Sequence, residues 1–249
     1  MADAGTETGS GFVDQISWAG QLYSDRNELV VPFAALAVAA VFLEWGLELL
    51  SLLFEVEWGP RIVVDPDIRR EAITGPLPEL LVPLLEEFVW LFVLGVAGTG
   101  LVTLVVSLTA TGTAFLTARD DLEGAHRSQG DTVAVVLSRL STLLVAAVLY
   151  SSAVGVGLLL LVVPGLYLAV RLSLTFPAIV IDDLGPVEGL RAAWNRSADR
   201  LLEVGGVVLS AAVLGVLVNL LPYIGVLITT LLVLPVFSLA LARCYLTSG

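Results

Sequence analysis

Long apolar runs separated by short polar segments dominate the pattern along the chain. About 20 consecutive apolar residues are enough for a helix to cross the hydrocarbon core of a bilayer. The runs therefore predict an all-α, polytopic transmembrane bundle with six spanning helices and short interfacial helices, which together occupy 29–249. The predicted spans are 29–54, 88–118, 132–154, 158–181, 204–221 and 223–242.

The stretch 132–181 must contain two of these spans, because one helix of that length would extend about 75 Å. Two positions could form the turn between them. A turn at Gly155–Gly157 leaves two spans of ordinary length and makes Pro164 a kink within the second. A turn at Pro164-Gly165 leaves one long span and one near the lower limit for crossing. The lengths favour the first position slightly.

The segment 1–28 is acidic and has Arg26 as its one basic residue, which is unlike the basic start of a signal peptide. We expect a cytoplasmic N-terminal segment that contains a short amphipathic helix. Its apolar positions at helical spacing are Phe12, Ile16, Ala19 and Tyr23.

The arginines indicate the orientation of the chain. With six crossings, most of them fall on one side of the membrane, and Arg61, Arg69 and Arg70 fall on the other. Loops rich in arginine face the cytoplasm. The sequence therefore predicts a multi-pass protein of the cell membrane with both termini in the cytoplasm.

Charge narrows the class of protein further. Only 14% of residues are charged, the formal net charge is −12, and every basic residue is Arg. This balance argues against a nucleic-acid partner, since phosphate binding requires a basic surface. An acidic chain without lysine is typical of extreme halophiles, in which salt screens the repulsion between carboxylates; the alternative is the codon bias of a GC-rich genome.

Arg171 lies near the middle of the predicted fourth span. A charge at that depth costs about 2.5–3.5 kcal/mol on insertion scales and is normally paired. Glu44 and Glu48 of the first span share one helix face and are the obvious partners. The group is either a buried site for ion or proton passage or a structural ion pair; a third possibility is that Arg171 extends its charge to the membrane surface.

The second span carries a ladder of small residues four positions apart. Such a ladder allows close helix packing and, in a transporter, could line a polar path; packing is the commoner use. The ladder consists of Gly95, Thr99, Thr103, Ser107 and Thr111.

The segment 186–203 predicts an amphipathic helix on the cytoplasmic side. Basic and aromatic side chains in such a helix can bind anionic lipid headgroups or a partner, or the segment can serve only to set the topology. The expected apolar face consists of Val187, Leu190, Trp194 and Leu201. The candidate binding residues are Arg191, Trp194, Arg196 and Arg200.

Motifs for catalysis are missing from the sequence. No nucleophile elbow, zinc-protease motif or phosphate-binding loop is present. The single Cys244 and the single His126 predict no disulfide within the chain and no metal site of the Cys/His type. We therefore expect no catalytic residues, no cofactor and no bound metal.

A pattern in 157–206 resembles a family of six-span membrane proteins. An apolar run ends in Pro-Gly, an arginine follows seven residues after the proline, and a Glu-Ala-Leu-Arg-x-Ser-Trp motif comes after a short loop. The matching positions are Pro164, Gly165, Arg171, Glu188, Leu190, Arg191 and Trp194, whereas Gly189 and Ala193 depart from the motif.

This family includes the membrane domain of some bacterial glycerophosphodiester phosphodiesterases and stand-alone relatives, haloarchaeal ones among them. The resemblance implies the six-span architecture only, because the phosphodiesterase chemistry belongs to a separate soluble barrel. From the residues we expect a non-enzymatic protein that binds membrane lipids, a partner protein in the bilayer or further copies of itself. The alternative is a small-solute or ion transporter that uses the buried Arg and Glu residues.

Overall fold

The computed structural model describes residues 11–58, 81–221 and 224–247, and these residues form helices and no strand. The chain also contains a 3-10 turn at Asn27–Leu29 and a π-helical turn at Thr229–Val233. The helices are α1 Phe12–Asp25, α2 Val30–Trp58, α3 Leu81–Glu123, α4 Gln129–Ser138, α5 Leu140–Leu160, α6 Val162–Leu172, α7 Thr175–Asp182, α8 Pro186–Asp199, α9 Leu201–Asn219, α10 Ile224–Ile228 and α11 Leu234–Leu246.

Six stretches of the described chain are long and apolar enough to cross a membrane, which confirms the all-α, six-span prediction. They are Asn27–Ser51, Trp90–Glu123, Leu140–Leu160, Val162–Asp182, Leu201–Asn219 and Ile224–Leu246. Their orientation stays a prediction, and Arg61, Arg69 and Arg70 lie outside the described residues.

The chain divides into two compact units. The first combines the residues up to Ala37 with those from Val105 onward, and the second is Val38–Leu104. Within the second unit, α2 and α3 approach at small residues. A side-chain methyl of Val96 lies 3.2 Å from the position that a Cβ on Gly46 would take, and Thr103 Oγ1 donates to the Ala39 carbonyl at 3.3 Å.

The turn between the third and fourth spans lies at Leu161, between the two predicted positions. Leu161 is the one extended residue there, with φ −161° and ψ 146°. Gly157 and Gly165 flank it, and the Gly165 Cα lies 2.8 Å from the position that a Cβ on Gly157 would take. The two glycines let the helices meet next to the turn. Pro164 stands in the first turn of α6, where its missing N–H has no helical partner to lose.

The third span also begins later than the sequence predicts. Helix α4, which begins at Gln129 in the loop after α3, ends at Ser138. Arg139 then takes a non-helical conformation, with φ −102° and ψ 4°, before α5 starts at Leu140. The predicted span 132–154 is therefore wrong at its start, because a charged residue interrupts the apolar run. The side chain of Arg139 has another role, described below.

Helix α1 packs in the first unit, antiparallel to α11. Near one end, Arg243 donates to the Asp14 carbonyl at 3.2 Å, and near the other the Tyr23 hydroxyl donates to the Leu231 carbonyl at 2.7 Å. Pro235 explains why the Leu231 carbonyl accepts from Tyr23, since proline has no N–H to donate to the carbonyl four residues before it. Burial raises the pKa of Tyr23, so the hydroxyl remains a donor.

We expect Gly165→Ala to lower the free energy of unfolding by about 1–3 kcal/mol. A Cβ on Gly165 would lie 2.5 Å from the backbone nitrogen of Leu158, and a backbone atom cannot rotate away. Gly155→Ala is the matched control, because nothing lies within 4 Å of its Cβ position. Titration with sodium dodecyl sulfate measures both variants. Equal stability of the two would contradict the close contact at the turn.

Candidate functional site

The carboxyl end of α7 is capped by arginines from other helices. The last carbonyls of a helix have no partner within it, and here they belong to a buried segment. Arg139, between α4 and α5, donates from Nη1 to the carbonyls of Ile179 and Val180. Arg119, near the end of α3, donates to the Ile181 carbonyl at 3.1 Å. We call these two arginines and the carbonyls they bind the α7 cap.

Two aspartates extend the α7 cap toward further helices. The backbone of Asp183 has a left-handed conformation, with φ 56°. Its Oδ1 lies 2.9 Å from Nε of Arg139. Oδ2 of Asp182 accepts hydrogen bonds from Arg196 of α8 at 3.1 Å and from the Tyr245 hydroxyl of α11 at 2.6 Å. Both carboxylates are therefore paired with arginine, and the described residues contain no group of three or more His, Cys, Asp and Glu side chains that could hold a metal ion.

Two of the three candidate binding arginines of the segment 186–203 are paired within the protein. Besides its bond to Asp182, Arg196 lies over the ring of Tyr245, with its guanidinium carbon 4.1 Å from the centroid. Arg200 lies 3.4 Å from Glu203 Oε2 and donates to the Thr247 hydroxyl at 3.0 Å. Their charges support helix packing and contribute less to binding an external anion.

The buried face of α8 consists of small residues. Gly189, Ala193 and Ser197 are buried at intervals of four residues. A Cβ on Gly189 would lie 2.8 Å from a side-chain carbon of Ile179, so the glycine brings α8 close to α7. Small residues at such contacts let membrane helices approach closely.

The opposite face of α8 points outward and is amphipathic. Val187 and Trp194 are 61% and 39% exposed, and Arg191 is exposed between them. Leu190, another residue of the predicted apolar face, is half-buried. We call Val187, Arg191 and Trp194 the outer face of α8.

Arg171 lies in an aromatic cage between α6 and α8. Its guanidinium carbon is 4.5 Å from the ring centroid of Trp194 and 5.6 Å from that of Tyr167, within the range of cation–π attraction. Nη1 donates to the Trp194 carbonyl at 3.0 Å and to the Ser197 hydroxyl at 3.3 Å. The Ser197 hydroxyl in turn donates to the Arg171 carbonyl. The arginine thus fixes the ring that forms part of the outer face of α8.

Glu44 and Glu48, the predicted partners of Arg171, belong to the second unit. Glu48 is exposed, and Glu44 is half-buried. Oε2 of Glu44 is buried and has no hydrogen-bond partner among the described residues. The pairing with Arg171 stays a prediction.

The threonine hydroxyls of the ladder donate to carbonyls of their own helix, and Thr103 shares its proton with the Ala39 carbonyl of α2. Thr99, Thr103 and Thr111 donate to the carbonyls four residues earlier, at 2.8 to 2.9 Å. Among the described residues, no atom other than those of its own helix lies within 4 Å of the position that a Cβ on Gly95 would take. Hydroxyls bonded in this way are stable in an apolar setting and offer no proton to a solute.

Sequence reasoning did not identify Arg119 and Arg139 as parts of the site. One signal was present, because Arg139 interrupts an apolar run at a cost that only an internal partner offsets. Besides Asp183, however, the partners of Arg139 are backbone carbonyls, and no sequence pattern marks those.

Comparison of the chain with protein-family models, curated proteins and solved structures finds no match. The resemblance of 157–206 to the six-span family therefore stays a prediction.

We expect Arg139→Gln to lower the free energy of unfolding by about 2 kcal/mol, since hydrogen bonds from a charged donor to buried carbonyls contribute about 1.5–3 kcal/mol. Arg191→Gln is the control, because the Arg191 side chain is exposed and makes no hydrogen bond or ion pair with the described residues, and we expect a change within about 0.5 kcal/mol. Thermal unfolding in detergent, followed by tryptophan fluorescence, measures both. Equal losses would contradict the role of the α7 cap.

Proposed function

We propose that the chain is a non-enzymatic integral membrane protein that binds anionic lipid headgroups at the outer face of α8. The observation that carries the proposal is the state of Arg191. It is exposed and has no ion pair or hydrogen bond from its side chain to the described residues, whereas Arg196 and Arg200 of the same segment are paired.

The neighbours of Arg191 suit a membrane surface. Trp194 follows three residues later on the same face, and tryptophan favours the headgroup level because one end of its ring is polar. Val187 supplies apolar area on the other side. The Arg171 cage holds the ring of Trp194 and adds a second positive charge behind it. A rigid aromatic residue beside an unpaired guanidinium is suited to a phosphate above an acyl chain.

The acidic residue nearest to Arg191 is also accounted for. Glu188 lies in the first turn of α8, and its Oε2 accepts the backbone N–H of Gly185 at 3.0 Å. A carboxylate in this position interacts favourably with the positive end of the helix dipole. Glu188 therefore repels an approaching phosphate less than a free carboxylate would.

Lipid binding is tested with the full chain in a neutral detergent, titrated with phosphatidylglycerol or phosphatidylcholine and analysed by native mass spectrometry. One basic residue near an anionic surface contributes about 1 kcal/mol. We therefore expect Arg191→Gln to weaken phosphatidylglycerol binding about fivefold, and Arg191→Lys, which keeps the charge, to bind like the unmodified chain.

Salt should weaken the binding, because it screens charges that face the solvent. Equal affinity for the two lipids, or unchanged phosphatidylglycerol binding by Arg191→Gln, would contradict the proposal. Recovery of a stoichiometric protein instead of a lipid would assign the outer face of α8 to a partner protein.

A second candidate function is the passage of ions or solutes, and the buried Oε2 of Glu44 favours it. An uncompensated carboxylate in an apolar span is costly unless it binds a proton or a cation during function. In proteoliposomes containing a pH-sensitive dye, this function predicts a proton flux driven by a potassium diffusion potential. Glu44→Gln should abolish the flux, and the exposed Glu48→Gln should retain it. Flux no greater than in protein-free liposomes would contradict it.

A further inference from the structure

The outer face of α8 is the beginning of a longer exposed surface that continues onto α6. Gly189, early in α8, lies against Ile179 of α7, whereas Ser197, late in α8, accepts a hydrogen bond from Arg171 of α6. Helices α6 and α7 belong to one span, Val162–Asp182. Helix α8 therefore runs antiparallel to this span, away from the α7 cap and toward the start of α6.

Four side chains of falling polarity follow one another in that direction. Arg191 lies nearest to the α7 cap, and Trp194 follows about one helical turn later in α8. The ring of Tyr167 meets the ring of Trp194 edge to face, with the two centroids 6.2 Å apart. Val163 lies about 6 Å beyond Tyr167 along the axis of α6 and on the same helix face. We call Arg191, Trp194, Tyr167 and Val163 the α8–α6 stripe.

All four side chains of the stripe are exposed, and its two rings are held from behind. Tyr167 and Val163 are 42% and 77% exposed, and the Tyr167 hydroxyl has no hydrogen-bond partner among the described residues. The guanidinium of Arg171 lies against both rings and fixes their positions. The stripe passes from a charged group through aromatic rings to an aliphatic side chain. A phospholipid has the same order of phosphate, glycerol and hydrocarbon chain, and aromatic rings favour the level between headgroup and chain.

We propose that the α8–α6 stripe binds one phospholipid lengthwise, with its phosphate at Arg191, its glycerol region at the two rings and one hydrocarbon chain along Tyr167 and Val163. This inference rests on the proposed binding of anionic headgroups at the outer face of α8, and it adds that the ligand is a whole lipid. Within a membrane, contact between the chain and the stripe stabilises the complex through van der Waals packing. The chain therefore contributes to affinity separately from the charge of the headgroup.

Native mass spectrometry of the full chain in a neutral detergent, titrated with dioleoyl phosphatidylglycerol, tests the path of the chain. We expect Val163→Ser to weaken binding about threefold, because the contacts of two methyl groups with the lipid are lost. The preference for phosphatidylglycerol over phosphatidylcholine should remain, since Arg191 is unchanged. Val162→Ser is the matched control: Val162 is 69% exposed but lies on a different face of α6, so its substitution should leave the affinity unchanged.

A lipid with short chains separates the contact at Val163 from a change in the headgroup site. Dihexanoyl phosphatidylglycerol has the same headgroup, but its chains are too short to extend from the rings to Val163. It should therefore bind the unmodified chain and Val163→Ser equally. Val163→Ala, which removes the same methyl groups without adding a hydroxyl, takes the place of Val163→Ser if that variant does not fold, and the same loss for the long-chain lipid is expected.

Two results would overturn the inference and leave the headgroup site in place. One is equal affinity of the Val163 and Val162 variants for dioleoyl phosphatidylglycerol, with the preference for this headgroup retained by both and lost in Arg191→Gln. The other is an equal loss for the long-chain and short-chain lipids in the Val163 variant, which would show a disturbed headgroup site instead of a lost chain contact. Absence of any headgroup preference in the unmodified chain would instead contradict the proposed function, and the inference with it.

Discussion

The first unit depends on how the carboxyl end of α7 satisfies its backbone. In an apolar environment, carbonyls that lack a helical partner must be bonded within the protein. The side chains from Thr175 to Ile181 are all buried except that of Phe176, which is half-buried, so the carbonyls at the end of this helix need internal donors. Arg119 and Arg139 supply those donors and offset the negative end of the helix dipole. Two separate parts of the chain are thereby fixed to one helix end.

This constraint also determines which charges remain for function. Arginines committed to carbonyls or to Asp182 stabilise the bundle, and their removal is expected to affect folding first. Arg171 is used differently, since it holds Trp194 from behind through the ring and the backbone. On the outer face of α8, Arg191 is left without an ion pair to the described residues. Although the chain has few basic residues, it therefore presents an unpaired positive charge at a defined place.

The sequence predicted the all-α class and the number of stretches able to span a bilayer, because apolar length alone decides whether a helix can span one. It misplaced the turn at Leu161, since Gly157 and Gly165 act through a contact with each other that no local pattern shows. It did not indicate which face of α8 packs against the bundle. Between membrane helices, close approach favours small residues such as Gly189 and Ser197, whereas large apolar ones can face lipid. The sequence singled out Arg171, but its aromatic cage becomes visible only in the fold.

The most direct test of the account is a double-mutant cycle on the α7 cap, in which the free energy of unfolding is measured for Arg119→Gln, Arg139→Gln and the combination. If both arginines hold the same helix end, losing one already releases part of what the other fixes. The account therefore predicts that the double variant loses less stability than the sum of the single losses, by about 1 kcal/mol. Losses that simply add would contradict a shared constraint at this helix end.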